Sequence, residues 1–100
     1  MATSQAFDFA TEQLESRTDL NGLEARGTVR LALKAAGLDA ANVTAQQMGV
    51  VVSRVLPVEL TNRNVADAES ICAQIEHGLA NLDTRNERAT TDEVFKTLGG

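Results

Sequence analysis

Apolar residues recur along this chain at intervals of three and four, and four stretches carry that spacing far enough to predict a helix. The one around which the others are arranged is Leu20 to Leu38. Wound at 3.6 residues per turn, it sets Leu20, Leu23, Gly27, Leu31 and Leu38 along one side and Ala25, Val29, Leu33 and Ala36 along nearly the opposite side. Two polar strips separate them, Arg26, Arg30 and Lys34 at i, i+4, i+8, and Glu24 with Thr28. A helix with two apolar sides is expected to be covered on both, by neighbouring helices or by a second chain. Thr18 or Asp19 is the expected N-terminal cap, and Gly37 lies near the C-terminal cap. Gly22 and Gly27 fall inside the helix, where each costs about 1 kcal/mol relative to Ala. On the Leu20 and Leu31 side, Gly27 predicts the close approach of another helix backbone.

Three further stretches follow the same logic. Phe7, Ala10 and Leu14 give a first helix over about 5 to 17, with Thr3 or Ser4 as its cap. Thr44 to Gln47 reads as a capping box opening a third helix over about 45 to 56, where Met48, Val51, Val52 and Val55 share a face. The run Val50 to Val52 has strand propensity, but no second strand-like run exists to pair with it. Pro57 breaks this helix and can restart a short one as its first residue. Asn64 is the expected cap of a fourth helix over about 65 to 82, whose Val65, Ala68, Cys72, Ile75, Leu79 and Leu82 form a narrow seam. Asp83 to Ala89 reads as a loop. Thr90 to Glu93 reads as a second capping box, opening a short helix at about 91 to 98 in which Val94, Phe95 and Leu98 are available for docking.

Composition narrows the fold class. The 100 residues are 43% hydrophobic and 23% charged, with three Phe, no Trp, no Tyr and a single Pro, which predicts one helical domain with an aliphatic core. The formal charge of −5 disfavours nucleic acid and anionic lipid as partners, since phosphate-binding surfaces carry surplus Lys and Arg. Charge is unevenly placed. Asp8, Glu12, Glu15 and Asp19 against Arg17 leave −3 on the first helix and its exit, while Leu20 to Leu38 carries +2, so the two helices are expected to attract one another weakly. One cysteine, no signal-type leader and no apolar run of bilayer length make a soluble, cytoplasmic protein the expectation.

Candidate chemistry is sparse. Cys72 and His77 stand five residues apart and point in different directions on one helix, and a zinc site needs ligands that the chain lacks. Cys72 reads as a packed thiol and His77 as a solvated side chain. Asp67 with Glu69, and Asp92 with Glu93, sit in first helical turns, where negative charge complements the helix dipole. Phosphate-loop, dinucleotide and nucleophile-elbow patterns are absent. Ser70, the candidate for a carrier arm, is flanked by Glu69 and Ile71 and falls in the middle of a predicted helix, without the Asp-Ser-Leu type of signature. The terminal Gly99-Gly100 follows helices and not a β-grasp, so it reads as a helix stop.

These observations predict an all-α bundle of four main helices plus a short C-terminal one, without enzyme activity, cofactor or metal. The expected function is protein–protein interaction by a regulatory or adaptor module, self-associating as a two-fold dimer. The expected contacts are Arg26, Arg30 and Lys34, together with Val50 and Arg54 off the apolar face of the third helix. The second reading is a helix-turn-helix DNA-binding regulator. Its connector, Gly37 to Val43, is long for that motif, and the helix after it carries only Arg54 as a cation. The third reading is an acidic carrier or enzyme accessory subunit.

Overall fold

A computed structural model describes residues 3–82, and every regular element among them is helical. In order these are α1 (Gln5–Arg17), α2 (Gly22–Ala35), α3 (Ala45–Arg54), α4 (Leu56–Asn62) and α5, helical from 68 to the last described residue, 82. The protein is therefore a small all-α bundle, as expected. The predicted loop over 83 to 89, the short helix over 91 to 98 and the terminal Gly-Gly lie outside the described residues.

Local sequence explains most of the boundaries. The Ser4 hydroxyl accepts from the Phe7 N–H at 3.1 Å and opens α1. At α3, the Thr44 hydroxyl accepts from the Gln47 N–H at 3.1 Å while the Gln47 side chain accepts from the Thr44 N–H at 3.0 Å, the reciprocal box expected there. The cap of α2 is neither Thr18 nor Asp19. Asn21 takes that position, accepting from the Glu24 N–H at 2.8 Å and donating its own N–H to the Glu24 carboxylate at 3.0 Å. Thr18 instead donates to the Leu14 carbonyl at 2.7 Å and belongs to the exit of α1. Gly22 is thus the first residue of α2, not an interior one.

Two helices end in the same way. After α2, Gly37 has φ 75°, its N–H donates to Lys34 C=O at 3.1 Å, and the Leu38 N–H donates to Leu33 C=O at 2.9 Å. After α4, Asn64 has φ 61°, its N–H donates to Thr61 C=O at 3.0 Å, and the Val65 N–H donates to Leu60 C=O at 2.9 Å. Asn64 therefore terminates α4 and does not cap α5, which starts three residues later than expected. Asp67, with φ 59°, precedes α5 and supplies the carbonyl for its first turn, accepting from the Ile71 N–H at 2.9 Å. The break expected at Pro57 falls at Val55, and Pro57 sits in the first turn of α4.

One aliphatic core joins all five helices. Phe7, Ala10 and Leu14 meet Val29, Ala32 and Leu33, and the buried faces of α3, α4 and α5 close over them with Met48, Val52, Leu56, Leu60, Ile75 and Leu79. Of the expected seam, Ala68, Cys72, Ile75 and Leu79 are buried in α5 with Ile71 added to them, while Leu82 is partly buried and Val65, also partly buried, lies before the helix. Thr28, assigned above to a polar strip, is fully buried. Its hydroxyl is satisfied by donating to the Glu24 carbonyl at 2.7 Å, so the residue packs as a small apolar one. Helices α1 and α2 pack as an antiparallel hairpin: the Arg30 guanidinium lies over the Phe7 ring, 5.2 Å from its centroid, and a Cβ built on Gly22 would stand 3.4 Å from Glu15 Oε2. On its other side α1 packs antiparallel against α5, where Phe9 meets Gly78 and Arg17 donates to the Gln74 side chain.

Candidate functional site

The expectation for α2 divides in two. The Ala25, Val29 and Leu33 flank is buried. The opposite flank is open: Leu23 is 82% exposed and Leu31 48%. Gly27, between them, has nothing within 4 Å of the position a Cβ would take, so the close helix approach predicted for it does not occur within the described chain. Arg26, Arg30 and Lys34 are all exposed on this same outward side. The strip and the leucine flank are therefore one surface, with cations and apolar side chains interleaved. Arg30 is held over Phe7, whereas neither hydrogen bond nor ion pair ties down Arg26 or Lys34 among the described residues.

Beside this face lies its electrostatic counterpart. Asp8, Glu12 and Glu15 are exposed and share the outward face of α1. Phe7 at the level of Arg30, and Glu15 at the level of Gly22, bring that face alongside α2. Among the described residues, no ion pair joins the acidic to the basic row. The α1–α2 contact is carried by apolar side chains and by Arg30 on Phe7, not by the charge attraction expected between the helices.

Val50, 57% exposed, and Arg54 share the outer side of α3. They belong to a different element from the α2 strip, and α2 touches α3 less than it touches α1 or α4. Val58 on α4, 58% exposed, is a further apolar surface residue that the sequence reading did not single out; no periodicity within a seven-residue helix marks it.

The remaining candidates are quiet. Cys72 is 2% exposed, and its burial, with the Glu76 carboxylate adding to it, pushes the thiol up to about 11, which leaves it protonated and unreactive near neutrality. His77 is exposed. Ser70 is also exposed, in the first turn of α5 and not deep in a helix, because α5 starts late; its Oγ accepts from Gln74 Nε2 at 3.5 Å. An open groove of about 940 Å³ between the α1–α2 turn and the start of α5 is bordered by Arg17, Asp19, Glu24, Arg63 and Asp67. Both signs of charge line it, and no buried side-chain polar atom among the described residues lacks a partner, so nothing there points to a particular ligand. No group of three or more metal-ligating side chains occurs among the described residues, and none of their helices is long and apolar enough to cross a membrane. Comparison of the chain with protein-family models, with curated proteins and with solved structures finds no match.

Proposed function

We propose that this protein is a non-enzymatic interaction module that binds protein through the outward face of α2, and that it self-associates. The observation that carries this is the exposure of Leu23 and Leu31 among Arg26, Arg30 and Lys34. Isolated surface leucines are ordinary, but two of them on one rigid helix, a turn either side of a glycine that nothing among the described residues approaches, form a ridge with a notch. Such a ridge gives a partner apolar contact area with cations interleaved along it, so that a protein surface carrying apolar and acidic groups can use both. Val50 and Arg54 form a secondary contact in this reading.

A photo-crosslinking amino acid placed at position 23 or 31, with position 77 as the exposed control, tests the face directly. Adducts to protein at 23 and 31 and not at 77 are expected. Equal labelling at all three positions, or none at 23 and 31, overturns the reading. Titration of labelled duplex DNA at low and moderate salt is the companion measurement: salt-sensitive binding lost in Arg26→Glu/Lys34→Glu would replace protein by nucleic acid as the partner.

A further inference from the structure

The geometry points to a second copy of this chain as the occupant of the α2 face, docked so that the acidic row of α1 in each copy lies on the basic row of α2 in the other. This rests on the interaction reading above and adds the identity and orientation of the partner. The argument is one of charge and level. Asp8, Glu12 and Glu15 on α1 and Arg26, Arg30 and Lys34 on α2 are exposed rows of similar length, facing outward from adjacent antiparallel helices and unpaired with each other among the described residues. A surface carrying both rows side by side is complementary to itself. A two-fold axis running along the hairpin, parallel to its helices, crosses the rows: α1 of one copy covers α2 of its partner, and the reverse. Such an axis keeps residues at their own level along the hairpin. Since Phe7 stands level with Arg30 and Glu15 with Gly22, Asp8 arrives opposite Arg30 and Glu12 opposite Arg26. Leu23 and Leu31 then come under the facing helix, and the notch at Gly27 lets that helix approach. Placing like helices over one another instead sets three cations on three cations, which the arrangement avoids.

Charge reversal tests this without relying on any one variant. In one chain Asp8→Lys, Glu12→Lys and Glu15→Lys make both rows basic. In the other Arg26→Glu and Lys34→Glu make α2 net acidic, with Arg30 kept because it covers Phe7. The wild-type protein is expected to show a concentration-dependent dimer in sedimentation equilibrium that weakens as salt rises. Each reversed chain alone is expected to dimerise on the order of 100-fold more weakly. The two mixed are expected to regain a 1:1 dimer, since Glu12→Lys then meets Arg26→Glu and the other crossed contact keeps its wild-type charges, Asp8→Lys opposite the retained Arg30 being the one like-charged pair. Helix content by circular dichroism confirms that each chain is folded; if the triple variant is not, Asp8→Asn/Glu12→Gln/Glu15→Gln replaces it, with weakening and rescue expected in the same order. Reversed chains that dimerise like wild type, or folded chains that fail to pair on mixing, overturn the crossed arrangement. A wild-type chain that stays monomeric at about millimolar concentration overturns self-pairing altogether, while crosslinking at positions 23 and 31 still decides whether the face binds another protein.

Discussion

Cys72 illustrates how one buried side chain couples the fold to pH. Its thiol is raised from an ordinary value of 9.0 to about 11, so the folded protein holds this proton in a range where the unfolded chain has released it. The stability this gives is whole below pH 9, falls as pH rises from 9 toward 11, and is gone above. Two units correspond to about 3 kcal/mol at most. In urea melts at a series of pH values, the stability of the wild type relative to Cys72→Ala should be constant below pH 9 and decline across the next two units. A difference that is flat through pH 11 would mean that the thiol ionises alike in both states. Asn64 makes a second single-residue case. It holds φ 61°, the left-handed region that glycine occupies freely, at the end of α4. Asn64→Gly should be neutral or stabilise by about 0.5 kcal/mol, whereas Gly37→Ala, at φ 75°, should cost about 1 kcal/mol. The same melts measure both.

Among the elements, the contact of α1 with α5 is set by a glycine. A Cβ on Gly78 would fall 2.5 Å from Phe9 Cζ and 2.9 Å from Cε2, so the ring sits against the α5 backbone. Ala is the better helix former by about 1 kcal/mol, yet displacing a half-buried ring from its seat loses more than that. Gly78→Ala should therefore destabilise by about 1 kcal/mol net. In Phe9→Leu the obstacle is gone, and there the same change should be neutral or stabilising; equal effects in both backgrounds would show that the ring does not set the spacing. Nothing in the sequence disclosed this pair, because Phe9 and Gly78 are far apart along the chain and neither breaks a periodic pattern. What was legible was local. Ser4, Thr44 with Gln47, and Gly37 act through neighbours within five residues, and each does what its type and spacing imply. Asn21 and Asn64 show the limit of such signals. Asn serves both as an N-terminal cap and as a left-handed terminator, and only the position of the preceding helix end decides which.

For the molecule as a whole, the decisive question is which flank of α2 is core. Sequence periodicity gave both flanks the same apolar label, but they differ in their neighbours on the helix surface. Leu23 projects within about 20° of both Arg30 and Lys34 and so lies between two cations, whereas Leu33 has the single cation Arg26 within about 20° on its outer edge and Val29 is bordered by Ala25, Ala36 and Leu33. A leucine set between two cations cannot enter an apolar core without taking them along, whereas the Val29 and Leu33 flank has its one cation at the edge, where Arg26 stays exposed, so that flank lies in the core. Leu33→Ala should accordingly cost about 2–5 kcal/mol, as a cavity in a packed core does. Leu23→Asp with Leu31→Asp should change the stability of the dilute protein by no more than about 0.5 kcal/mol per site. The two behave differently once copies meet. Pairing stabilises only the folded chain, so the melting temperature of the wild type should climb with protein concentration, and that of the double aspartate variant should not. Loss of stability in that variant at high dilution would instead make Leu23 and Leu31 part of the fold, and would remove the basis for assigning the α2 face to a partner.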